Sequence, residues 1–70
     1  MLEVKREVAR AVQLYPKMRS VHEGYAILLE EVDELWNAIK NNKQGNQKIR
    51  EEAIQVAAMA IRLVADCIDS

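Results

Sequence analysis

Seventy residues, 50% apolar, 30% charged and 4% aromatic, fit one small domain over residues 1–70 and leave no room for a second. Ten Lys and Arg against eleven Asp and Glu give a net charge of -1, without the basic excess that a nucleic acid polymer or an anionic bilayer demands. Charges interrupt the apolar stretches well short of the ~18 residues of a membrane span, and the N-terminus lacks the apolar core of a signal peptide, so a cytoplasmic chain is expected.

Two Gly, one Pro and no period-2 alternation point to an all-α fold. In the first segment Val4, Val8, Ala11, Val12 and Tyr15 follow helical spacing, predicting an amphipathic helix of about three turns with a narrow apolar stripe. Pro16 ends it, because the proline ring pushes Tyr15 out of the α region and lacks a backbone donor. Ser20-Val21-His22-Glu23 reads as a capping box that opens a second helix running to about Lys40. Within that helix Gly24 implies close approach by a neighbour. Trp36 falls with Tyr25, Leu29 and Val32 on an apolar side suited to core or dimer packing. Asn41, Asn42, Gly45 and Asn46 form a polar turn, with Asn46 in place to cap a third helix over about Gln47 to Ile68.

That third helix carries two apolar rows, Ile49, Ala53, Val56, Ala60, Leu63, Cys67 and Ile54, Ala58, Ile61, Ala65, Ile68, which cover more than half its circumference. Two other helices, one with only a narrow stripe, cannot cover both rows. Ordering costs roughly 1.5 kcal/mol per residue, and so short a chain has one small core to offset it. The single cysteine, Cys67, forms no internal disulfide and, with one His, no thiolate zinc site; it reads as a buried, inert thiol. A helical bundle completed by homo-oligomerisation is therefore expected, as a homodimer or a dimer of dimers.

The informative stretch is Glu30-Glu31-Val32-Asp33-Glu34. Like charges three and four residues apart cost roughly 0.2–0.5 kcal/mol per pair. A solvated face accounts for Glu30 and Asp33. It does not account for Glu31, which has Ile27 and Leu28 one turn before it and Leu35 one turn after it. A carboxylate aimed into a helix interface must be neutralised, paired or bound to a cation. Antiparallel packing through the short turn brings Glu31 and Glu34 toward Glu52 and Gln55 on the third helix. Three carboxylates and an amide oxygen suit Mg²⁺ or Mn²⁺ rather than zinc or copper. An ion-pair network through Arg50, Arg62 or Lys48, with no chemistry, fits the same spacing.

Glu30-Glu31-x-x-Glu34, followed by Glu52-x-x-Gln55, resembles the EExxE…ExxD signature of the MazG-like all-α nucleoside triphosphate pyrophosphatases. The stretches HEGYAILLEEVDELW and REEAIQVAAMAIRL are similar to small members of phage and mobile-element type, over roughly residues 20 to 66. The resemblance implies Mg²⁺-dependent hydrolysis of a nucleoside triphosphate to the monophosphate and pyrophosphate. It implies metal ligation by Glu31, Glu34 and Glu52 and a water-orienting or supporting role for Glu30; Lys48 and Arg62, on the same arc as Glu52, are candidates for phosphate contact or equally for solvated surface charge. Gln55 stands where the family has aspartate, so it offers one neutral oxygen and cannot act as a base. Either three carboxylates suffice, or Asp66 or Asp33 helps, or activity is low. The alternative function is a MazG-like module of weak catalysis that senses nucleotides or binds a protein.

Overall fold

The computed structural model describes residues 1–43 and 45–69. Three helices follow in chain order, α1 (Leu2–Leu14), α2 (Val21–Asn41) and α3 (Gly45–Leu63), and α3 runs into a single π-helical turn at Val64–Ile68. The all-α expectation holds, with no strand among the described residues.

Local chemistry sets most of the boundaries. Tyr15, ahead of Pro16, turns extended (φ -125°, ψ 149°) while its N–H still donates to the Ala11 carbonyl, so α1 stops where expected. Ser20 caps α2, its hydroxyl accepting from the Glu23 N–H at 3.1 Å. The return half of the box is shifted by one residue: the Glu23 carboxylate accepts from the Arg19 N–H at 3.1 Å, not from Ser20. At its other end α2 closes on Asn42, which adopts the left-handed conformation (φ 44°) that asparagine tolerates. Asn46 does not cap α3. It lies inside the helix, which already begins at Gly45, where φ is +75°; the preceding Gln44 lies outside the described residues.

The helices form a flat layer, 39 × 25 × 18 Å, with α3 in the middle. Both α1 and α2 pack on α3, but no Cα of α1 comes within 8 Å of a Cα of α2. The core is small. Val4, Ala11, Met18, Ala58 and Met59 are buried, and Ile27, Leu28, Ile54 and Leu63 pack around them. Gly24 faces Leu63 and Met18 so closely that a Cβ would collide with the leucine side chain, which identifies the neighbour expected there.

Three sequence expectations are revised by this packing. Val12 and Tyr15 of the α1 stripe are exposed, because α1 meets one helix rather than two. Ile61 and Ile68 of the second α3 row are exposed as well, on a side that neither α1 nor α2 reaches. The third helix is not regular to Ile68. The Asp69 N–H donates to the Val64 carbonyl five residues back, at 2.9 Å, so the last turn is wide. Cys67 is half-buried, with its S–H 3.8 Å from the Met18 carbonyl.

Candidate metal centre

The antiparallel pairing of α2 and α3 does bring the expected carboxylates together. One oxygen from each of Glu31, Glu34 and Glu52 lies within 4.8 Å of the others. Glu34 is exposed, Glu31 half-buried and Glu52 buried, at 5% exposure. The cluster therefore has a solvent side and a protein side.

Its charge is poorly compensated. Lys48, one turn before Glu52 on α3, places Nζ 2.9 Å from Glu52 Oε1, and this contact raises the lysine pKa. The other oxygen, Glu52 Oε2, is buried without a hydrogen-bond partner, as is Glu31 Oε2. With all three carboxylates ionised the group holds -3, and Lys48 reduces this only to -2. Burial first, then the charge of Glu34 and a hydrogen bond shared with it, and then the charges of Glu52 and Glu30 push the Glu31 carboxyl up to about 7. The ion-pair alternative is thus realised for one oxygen of Glu52, by a lysine and not by a guanidinium, while among the described residues no cation is paired with Glu31.

The donor set fits a hard divalent cation. It is all oxygen, it comes from two rigid helices, and two of its oxygens are shielded from water with nothing to bond. Glu31, Glu34 and Glu52 are the residues that could hold such an ion. Asp33 and Asp66 lie outside this group. Asp66, turned by the π segment, accepts from the Met18 N–H at 3.0 Å and sits 3.8 Å from Arg62.

Beside Glu31 a cleft of about 380 Å³ opens where α1 and α2 diverge over α3. Gln55, Met59 and Arg62 of α3 line it, Ile27 and Glu30 stand on the α2 side, and Tyr15 with Pro16 close one end. Gln55 and Glu31 share this cavity, and Glu30 is exposed at its edge. Arg62 is not the solvated surface charge that one reading of the sequence makes it. It is only 4% exposed, and its Nη2 donates to the Pro16 carbonyl at 2.9 Å. Tyr15, Pro16 and the α1 charges Glu7 and Arg10, which also line the cleft, were not legible as site residues, since nothing in the narrow α1 stripe encodes the angle at which α1 meets α3.

No family model matches the chain, and no curated protein and no solved structure matches it.

Proposed function

We propose that the protein is a Mg²⁺-dependent nucleotide pyrophosphohydrolase of the MazG-like all-α type, converting a nucleoside triphosphate and water to the monophosphate and pyrophosphate. The observation that carries this reading is the convergence of Glu31, Glu34 and Glu52 from two helices around buried, unpartnered oxygens. Like charges gathered at a helix interface raise the energy of the fold unless a cation answers them. The two halves of the acidic motif supply the members of that cluster.

When bound there, Mg²⁺, or Mn²⁺ in its place, neutralises phosphate oxygens and lowers the pKa of the attacking water. The chain's own groups do the rest. Glu31, Glu34 and Glu52 hold the cation, and the Gln55 amide adds a neutral oxygen from the adjoining cleft. Glu30, exposed at the cleft edge, orients water. The cleft beside Glu31 has room for the nucleoside end of a substrate, which leaves the triphosphate over the carboxylates. Lys48, 41% exposed, exchanges its contact with Glu52 for one with phosphate. Arg62, tied to Pro16, contributes positive potential from the cleft floor. The working unit in this reading is a homo-oligomer.

A second reading draws on two observations, the glutamine at position 55 and the Lys48 contact to Glu52. Both weaken a metal site, and they favour a MazG-like module that binds nucleotide or protein with little turnover.

Pyrophosphate release from a panel of nucleotides with Mg²⁺ tests the proposal. Glu31→Gln and Glu34→Gln are each expected to lower the rate at least about 10²-fold. Rates equal to the parent's end the catalytic assignment. Saturable stabilisation by Mg²⁺ without turnover selects the second reading, and neither effect leaves a structural ion-pair network.

A further inference from the structure

The cleft beside the carboxylates ends on a buried cation whose donors are short of acceptors. Leu63 lies against Gly24 and Glu52 beside Glu34, which fixes the antiparallel register of α2 and α3. In that register Met59 stands opposite Ile27, and Arg62 is level with the first turn of α2, where Glu23 lines the cleft. At 1.5 Å per residue Met59 is about 10 Å and Arg62 about 15 Å along α3 from Glu52. A nucleotide with its phosphates over the carboxylates sits with its base between Ile27 and Met59 and its far edge at Arg62. Two apolar side chains of that kind suit a flat heteroaromatic ring, and Pro16 with Tyr15 closes the slot behind it.

Arg62 is 4% exposed, and a guanidinium carries five N–H groups and no acceptor. Nη2 donates to the Pro16 carbonyl at 2.9 Å. Nη1 has the Met59 sulfur, a weak acceptor, at 3.7 Å. Nε is buried without a hydrogen-bond partner among the described residues. The Asp66 carboxylate, 3.8 Å from Nη2, lies outside hydrogen-bond reach and accepts from the Met18 N–H. A buried guanidinium in this state raises the energy of the fold, and an incoming pair of acceptors offsets that cost. The cover over it is light: Met59 is unbranched, with three rotatable bonds, and swings aside to stack on the incoming ring.

The group that meets Arg62 is a neutral one. Glu7, Glu23, Glu30 and Glu31 outnumber Arg10 and Arg62 around the cleft, and Arg10 is held by Glu7, so a second anion is repelled there. Two adjacent acceptors in the plane of a neutral ring are what guanine presents at O6 and N7, the edge onto which arginine forks. Adenine sets its N6 amino donor against the guanidinium, and cytosine its N4 amino group. Uracil and thymine offer one oxygen beside a carbon. We propose that Arg62 reads the O6/N7 edge of a guanine base at the closed end of the cleft and makes this protein selective for guanine nucleotides. The proposal rests on the cleft being a nucleoside pocket, and it requires no turnover.

Isothermal titration of the full chain with nucleoside monophosphates in Mg²⁺ tests it. Guanosine monophosphate is expected to bind at least about tenfold tighter than its adenosine, cytidine and uridine counterparts, and the 7-deaza analogue, which lacks the N7 acceptor, to lose about tenfold. Equal affinities for the four bases, or an undiminished 7-deaza analogue, overturn the proposal and leave the pyrophosphohydrolase reading standing. Guanine selectivity without pyrophosphate release from guanosine triphosphate upholds the proposal and ends the catalytic reading. No binding by any of the four at millimolar concentration overturns both the proposal and the nucleoside pocket. Arg62→Lys keeps the charge and removes the fork, so it is expected to level the affinities for guanine and adenine. A preference that survives in a folded Arg62→Lys chain overturns the role of Arg62. If circular dichroism shows that variant unfolded, the 7-deaza comparison on the parent chain decides.

Discussion

Two acidic side chains at helix interfaces, Asp66 and Glu31, have met opposite fates. Asp66 accepts a backbone N–H from Met18 and lies beside Arg62, which in turn grips the Pro16 carbonyl, so the C-terminal end of α3 is fastened to the α1–α2 connection. Glu31 lies among Glu30, Glu34 and Glu52, with one oxygen unbonded among the described residues and a carboxyl pushed up to about 7. Charge answered by the protein itself is scaffolding. Charge that the protein concentrates is met here by Lys48 at Glu52 and by a proton that Glu31 keeps up to about 7, and that contrast separates the two ends of the layer.

The largest effect that bears on this contrast belongs at the fastened end. Arg62→Leu removes the donor to Pro16 and the guanidinium 3.8 Å from Asp66, at a cost of about 1–3 kcal/mol. Urea unfolding measures it, and a loss under about 1 kcal/mol would mean the fastening is dispensable. At the other end, titration sharpens the comparison. Glu31 in the fold keeps a proton that the unfolded chain releases between its ordinary 4.5 and about 7. Stability without metal therefore falls as pH rises through that window. Glu31→Gln is expected to flatten the slope and to raise the melting temperature at about pH 8, by about 4–8 °C for each kcal/mol recovered. Mg²⁺ competes with the same proton, so its stabilising effect should grow from pH 4.5 to about 7; a pH-independent Mg²⁺ effect would place the ion elsewhere. The smallest effect is local to neither end: Ser20→Ala removes the α2 cap and costs about 1 kcal/mol, read as a shift in the urea midpoint at constant slope.

What could be read from the sequence was what neighbouring residues decide among themselves. Pro16 stopping α1, Ser20 starting α2 and asparagine closing it are contests within one turn of backbone, and the structure resolves them as the residues suggest. The meeting of Glu31 with Glu52 was legible too, because a short connection fixes antiparallel pairing and helical spacing fixes the rest. The role of Arg62 was not. Its pairing with Asp66 follows the i, i+4 interval, but its bond to Pro16 depends on how the connection folds back, which periodicity does not state. For the same reason the apolar rows of α3 announced that a cover was needed but not which side would lack one. That follows from α1 and α2 flanking α3 while staying apart.

The wide turn at Val64–Ile68 has a consequence for how this chain can vary. It holds one residue more than an α-turn, and that surplus aims Asp66 and Cys67 at Met18. Losing a single residue there would rewind the tail into ordinary register and swing both side chains about 100° off target. The last helical turn thus behaves as a latch keyed to chain length, tolerant of many replacements on its outer surface but not of a deletion.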